Sequence, residues 1–232
     1  MKTINIFPTI TTTEGSNWEE KIEEAKNLGI KEICIFPTCL DGGERKKMYQ
    51  ALKKTKIQKI PLVHLRSDMK LEELDFFIKN YQTEVFNIHS QFERPLVYNL
   101  SKYKDKIYIE NTFGLWREEE IKKFAGICID FSHLENDRLL KRKQYTRNIK
   151  FIKKYICGCG HISVVKKFPY YGQNLKENRY DFHYLDDLAE LDYLKKYPMN
   201  YFPSVIAIEL ENSIKEQIKI KKYILEQLKR KI

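Results

Sequence analysis

Eight short runs of β-branched and aromatic residues recur at intervals along the chain. They fall at 4–7 ("INIF"), 32–36 ("EICIF"), 60–65 ("IPLVHL"), 84–89 ("EVFNIH"), 106–110 ("KIYIE"), 126–130 ("GICID"), 160–165 ("GHISVV") and 205–209 ("VIAIE"). Each is a continuous apolar run more than an alternating one, the pattern of parallel strands covered on both faces. Helical patterns fill most of the gaps. Ser16 and Glu19 are spaced as a capping box before "WEEKIEEAKNL", and Gly29 supplies its stop. Asp68 is positioned to cap "MKLEELDFFIKN", where Leu71, Leu74, Phe77 and Ile78 share a face. Ser213 and Glu216 form a second box, followed by Ile214, Ile218, Leu225, Leu228 and Ile232 along one side of a final helix. Strand and helix alternating eight times without a Gly-, Pro- or Ser-rich linker predict one α/β domain over 1–232, a compact (β/α)8 TIM barrel. The structural alternative, a doubly wound open sheet, usually carries a glycine-rich phosphate loop after its first strand, and none follows residues 4–7.

The 42% hydrophobic content is enough for a full core. No charged-then-apolar leader is present and no apolar stretch approaches the roughly 18 residues of a membrane span, so a cytoplasmic protein is expected, with no membrane partner. Cys34, Cys39, Cys128, Cys157 and Cys159 are odd in number and mostly sit inside apolar runs, which suits reduced, buried thiols. The net charge of +10 is compatible with nucleic acid or a phosphorylated substrate but, on a chain rich in Lys, Ile, Asn and Tyr, selects neither.

In barrels of this kind chemistry gathers where the strands end. The third run ends near His64, the fourth at His89, the fifth at Glu110 and the sixth at Asp130; the seventh carries His161 and the eighth ends at Glu209. Six consecutive strands thus deliver one imidazole or carboxylate each to a common rim. Imidazole and carboxylate are the ligand set of zinc and similar divalent ions, and such groups facing one mouth would repel or go unpaired without a cation. His133 follows Asp130 by three, and Asp181 and His183 lie on the connection after the seventh run, so all five histidines sit among these candidates.

These residues resemble the xylose isomerase-like barrels, and within them the endonuclease IV enzymes that cut DNA at abasic sites. "IENTFG" (109–114) is similar to that family's Glu-Asn-Thr-x-Gly segment, "GICIDFSH" (126–133) to Cys-x-Asp-x-x-His, "HISVVK" (161–166) to His-x-Asn-Asp-Ser-Lys, and "DFH" (181–183) to Asp-Arg-His. The match is collinear over about 60–210. It departs at Ser163-Val164-Val165, at Phe182, at "YLDDLAEL", at the first strand, and in its short connections. The resemblance implies up to three zinc ions: one on His64, His89 and Glu110, a second on Glu110, Asp130, His161 and Glu209, a third on His133, Asp181 and His183. The implied activity is metal-dependent phosphodiester hydrolysis in DNA repair.

Other barrels of the same superfamily imply an alternative: a sugar or sugar-phosphate isomerase or epimerase with a single Mn, Mg or Co ion on Glu110, Asp130, His161 and Glu209. There Glu110 and Glu209 would also act as catalytic acid and base, with His133 against the substrate. A third class, multinuclear oxidative chemistry on a similar ligand array, is also compatible. Residues 165–180 interleave Lys166, Lys167, Lys176 and Arg179 with Phe168, Tyr170 and Tyr171. They read either as a substrate-binding segment, through Lys166, Lys167, Tyr170, Tyr171 and Arg179, or as an ordinary lid loop.

Overall fold

Pro8 lacks a backbone N–H and therefore cannot continue a ladder, so the first passage of chain is split into β1 (Asn5–Phe7) and β2 (Thr9–Thr11). The computed structural model describes residues 3–229 apart from 113, 115, 174 and 175. After β2 come α1 (Trp18–Asn27), β3 (Cys34–Phe36), α2 (Gly42–Leu52), β4 (Leu62–His64), α3 (Leu71–Tyr81), β5 (Val85–Ile88) and β6 (Ile107–Glu110). The chain continues with α4 (Glu118–Ile121), β7 (Gly126–Asp130), α5 (Phe131–Leu139), α6 (Lys143–Lys154) and β8 (Cys157–Ile162). It closes with β9 (Val164–Gly172), β10 (Glu177–Phe182), β11 (Val205–Ile208) and α7 (Ile214–Lys229).

Nine parallel strands pair in the order β1-β11-β8-β7-β6-β5-β4-β3-β2. The two ends of that order are the two halves of one passage, so the sheet returns on itself as a barrel. The break at Pro8 is filled from α7. The fully buried Gln217 accepts a hydrogen bond from Thr9 N (2.7 Å) and donates to the carbonyls of Thr9, Leu210 and Asn212 (3.1, 3.2 and 2.9 Å). The backbone groups orphaned by the split thereby find partners.

Alternation along the strands separates two cores. Ile6, Ile35, Val63, Phe86, Ile109, Ile127, Ile129, Ile206 and Ile208 face outward into one large cluster with the helices. Phe7, Cys34, Phe36, Leu62, Cys128, Cys159, Val205 and Ala207 form a second cluster that fills the barrel. Three of the five cysteines are thus small packing residues of the interior; all five are free thiols, and Cys39 is exposed.

Two glycines are required by the backbone. Gly29 ends the first helix at φ +64° and Gly126 starts β7 at φ +145°, where a Cβ would also run into the carbonyl of Ile156.

The expected helices are only partly formed. The fourth crossover has a 3-10 turn (Ser101–Lys106), the fifth has the single turn α4, and the seventh replaces its helix with the antiparallel hairpin β9–β10 and a 3-10 segment (Leu188–Lys196). The caps also differ in detail. Asn17, not Ser16, caps α1 by accepting from Glu20 N, while Ser16 is drawn to Thr11. Asp68 is held by Arg45 and Arg66, leaving Lys70 as the N-cap residue of α3. The Ser213–Glu216 box is present in both directions. On α7 the buried line runs through Ile214, Gln217, Ile220, Ile224 and Leu228, while Ile218 and Leu225 are half-buried. Ile232, and Phe113 of the 109–114 segment, lie outside the described residues. Among the described residues no helix is long and apolar enough to cross a membrane.

Candidate metal centre

The ligand-bearing residues stand two positions beyond the barrel's interior packing residues, or four in the case of His89, on the same face of each strand. Leu62 is followed by His64, Cys128 by Asp130, Cys159 by His161 and Ala207 by Glu209; Val85, half-buried, leads through Asn87 to His89, and Tyr108 to Glu110. Because the strands are parallel, this one layer forms the floor of the mouth. Donor atoms of His64, His89 and Glu110 lie within 4.8 Å of one another, as do those of Asp130, His161 and Glu209. Glu110 also groups with Asp130 and His133, and with Cys128 and His161.

The layer is buried and underpaired. His64 Nδ1 donates to the carbonyl of Leu65 (3.0 Å), so in the neutral ring Nε2 is an acceptor; yet Nε2 lies 2.9 Å from Glu110 Oε2. Two acceptors at that distance repel unless a proton or a metal ion lies between them. Asn87 donates to the same carboxylate oxygen (2.6 Å). Asp130 Oδ1 is fixed by Ser132 Oγ (2.6 Å) and His133 N (2.8 Å), whereas its buried Oδ2 has no hydrogen-bond partner among the described residues. Both ring nitrogens of the fully buried His161 are in the same condition, although Nδ1 lies 3.3 Å from Glu209 Oε2 and 3.6 Å from Glu110 Oε2. Orphaned acceptors converging with carboxylates fit a divalent cation.

The electrostatics agree. Burial pushes the Glu110 carboxyl up, but His161, His64 and His89 outweigh it and hold the group well below the carboxylate range. Glu209, opposed by burial but favoured chiefly by His161 and His183, sits at about 2. Burial, reinforced by Glu209 and Glu110, raises Asp130. His161 rises to about 9 despite burial because Glu110, Glu209 and Asp130 surround it, while burial lowers His89 to about 4. In the metal-free protein, protons on imidazole offset the carboxylates, a role a divalent ion can take over.

The third expected group is arranged differently. His133 Nδ1 donates to Asp181 Oδ2 at 2.6 Å, and Arg179 clamps the same carboxylate through Nε to Oδ1 (2.9 Å) and a second guanidinium nitrogen to Oδ2. His183 instead points Nδ1 at the carbonyl of Glu209 (3.3 Å). Neither Asp181 nor His183 joins any convergent group of donor atoms among the described residues. The residues expected for a third ion therefore do not converge as the other two groups do.

Above the floor lies a cavity of about 960 Å3, with Arg66, Arg94, Tyr170, Tyr171 and Arg179 among the residues along its walls. The hairpin thus brings Tyr170, Tyr171 and Arg179 to the mouth. Lys166 is engaged elsewhere, by Asp186 (2.7 Å), Glu190 (2.8 Å) and the carbonyl of Tyr184 (3.0 Å). Lys167 lies over the ring of the exposed Phe168, and neither lysine lines the cavity. Sequence reading missed Asn87, Phe36, Arg66 and Arg94. Asn87 had a signal: a polar residue inside an apolar run, two before His89. Phe36, whose ring packs on His64 and His161 (5.3 and 4.6 Å), and the arginines on loops had none.

No protein-family model matches the chain, and no curated protein matches it. Solved structures do. A xylose isomerase domain-containing protein from Salmonella typhimurium LT2 aligns with TM-score 0.50 and 12% identity over 100% of this chain and 98% of that one. An aldo-keto reductase from Bacillus halodurans, in its holo form, aligns with TM-score 0.51 and 11% identity over 99% and 91%. A xylose isomerase-like TIM barrel protein from Mycobacterium smegmatis, solved with magnesium, aligns with TM-score 0.47 and 9% identity over 97% of each chain. At these identities the likeness is one of fold. A reductase and an isomerase-domain protein share the barrel equally well, so the chemistry has to be read from the residues at its mouth. The chain is a TIM barrel with a buried layer of imidazole and carboxylate, able to hold a metal ion, at the C-terminal ends of its strands.

Proposed function

We propose that the chain is a divalent-metal-dependent hydrolase of phosphate esters, with zinc as its metal and its active site at the barrel mouth. The observation that carries this reading is the shared position of Glu110. It belongs to the group with His64 and His89, and its Oε2 lies 3.6 Å from His161 of the group with Asp130 and Glu209. Those residues would hold two ions on either side of one carboxylate. When bound, such a pair supplies Lewis acidity and neutralises charge on phosphoryl oxygens.

The remaining residues have definite tasks. Asn87 orients Glu110, and Ser132 with the backbone of His133 orients Asp130, leaving the free carboxylate oxygen inward. Ser163 extends this support by donating to Ser132 Oγ (2.6 Å). Arg66 and Arg94 make the cavity wall attractive to a phosphate, and Tyr170 and Tyr171 give it two aromatic faces. Tyr170 is itself anchored through its hydroxyl to the carbonyl of Asp181 (2.7 Å).

A second reading, a sugar or sugar-phosphate isomerase or epimerase, draws on the cavity's dimensions, which suit a small molecule. It needs one ion on Glu110, Asp130, His161 and Glu209, with Glu110 and Glu209 exchanging the substrate proton. The deciding assay loads the protein with zinc, manganese or magnesium and offers bis-p-nitrophenyl phosphate, an abasic-site DNA duplex and a panel of aldose phosphates. Phosphodiester cleavage that is lost in Glu110→Gln, with the circular-dichroism spectrum retained, is the expected result. Isomerisation without cleavage would transfer the site to the second reading, and wild-type turnover by Glu110→Gln would refute both.

A further inference from the structure

The corner formed by His133, Asp181 and His183 already contains a guanidinium, bound to one of its own carboxylates. Arg179 is 5% exposed and forms a two-pronged ion pair with Asp181, using Nε and one terminal nitrogen. That same terminal nitrogen lies 3.3 Å from His133 Nδ1, which in turn donates to Asp181 at 2.6 Å. Both oxygens of the Asp181 carboxylate and Nδ1 of His133 are therefore committed.

Local structure enforces the arrangement. β9 and β10 change register between Arg179 and Asp181. The intervening Tyr180 turns its N–H to Asn136 Oδ1 of α5 (2.8 Å). Such an irregularity re-aims side chains, here setting Arg179 and Asp181 together against the first turn of α5. Tyr170, opposite Arg179 in the ladder, ties down the carbonyl of Asp181. A guanidinium stays protonated at any ordinary pH. A divalent ion bound to the same carboxylate would face it at close range in a buried setting, where like charges repel strongly.

We infer that this barrel mouth takes two divalent cations and no third, because the Arg179 guanidinium, clamped on Asp181 against His133, holds the position from which His133, Asp181 and His183 would bind one. The inference rests on the two-ion reading of Glu110. Its consequence is a guanidinium–carboxylate pair beside the metals that chelators cannot remove and that holds its charges without exchanging a proton.

The test is metal content. The full-length chain is saturated with zinc, freed of excess by gel filtration, and measured by native mass spectrometry and by plasma emission against protein concentration. Cobalt(II) titration of the visible ligand-field bands gives an independent count. Wild type is expected to hold two ions, Arg179→Ala three, and Arg179→Lys, which keeps a cation at the corner, two. Combining Arg179→Ala with Asp181→Asn should return the count to two. Thermal melts of each variant identify any that fail to fold, and Arg179→Lys serves as the charge-retaining control. Three ions in wild type would overturn the inference, and so would two in a folded Arg179→Ala. Fewer than two in wild type, with Glu110→Gln unchanged, would instead overturn the two-ion reading beneath it.

Discussion

Arg45 is almost fully buried on the flank of the barrel, and its charge is met by Glu73 through Nε and a terminal nitrogen (2.8 and 3.0 Å), by Asp68 (3.1 Å) and by the carbonyl of Leu40 (3.0 Å). Tyr49 donates to Glu73 as well (2.6 Å). Burial alone would raise the Glu73 carboxyl, but the bonds from Arg45 and Tyr49 outweigh it and the group is lowered. A depressed carboxylate contributes stability that is complete above its unfolded value, about 4.3, and is lost as pH falls through the folded value. Glu73→Gln should therefore cost about 3 kcal/mol at pH 7, and the difference from wild type in urea unfolding should shrink as pH drops below about 4. An undiminished gap at low pH would contradict the ion-pair assignment. At the mouth, Asn87 touches Glu110 from behind the ligand layer. Asn87→Ala should lower zinc affinity roughly 10- to 100-fold, as the loss of such an orienting partner does, measured by competition with a chromogenic chelator.

At the scale of elements, the first strand depends on a side chain 208 residues away. Gln217→Leu keeps the volume on α7 but strips a partner from Thr9 N and from the carbonyls of Thr9 and Asn212, while that of Leu210 keeps Lys21 Nζ (2.7 Å). Unpaired buried backbone groups cost about 1–3 kcal/mol each. The variant should lose at least 2 kcal/mol in chemical denaturation, and hydrogen exchange should rise at residues 5–11. Protection unchanged there would mean the split strand closes without help.

The elements also mark where sequence was informative. Strand ends were legible because a His, Asp or Glu closing an apolar run is a local event that burial makes costly. Caps were less so, because the competing partner lies elsewhere in the chain: Asp68 is claimed by Arg45, and Ser16 by Thr11. The segment after the seventh run hid its hairpin behind Pro169 and a mix of lysine and tyrosine, residues that an isolated two-stranded ladder tolerates on its edge. Composition marks Arg179 only as a substrate contact. Its place beside Asp181 depends on the register change between them, which no spacing rule reveals.

For the whole molecule, the design is a barrel whose interior is packed with thiol, aliphatic and phenylalanine side chains up to a buried layer of imidazoles and carboxylates with donor atoms left unpaired. Metal and folding should therefore be linked. Zinc at a hundredfold excess over its dissociation constant would add about 2.7 kcal/mol per site, which for a chain of this length raises the melting temperature by roughly 5–10 °C. Calorimetry should show that gain, and a chelator should reverse it. An identical transition with and without metal would mean the layer is satisfied by protons alone.

The most direct measurement is anomalous diffraction at the zinc edge from crystals of the loaded protein. Two peaks flanking the Glu110 carboxylate are expected, one within coordination distance of His64 and His89 and the other of Asp130, His161 and Glu209, with none between His133 and His183. Peaks absent from the strand-end layer, or found only away from it, would contradict the account.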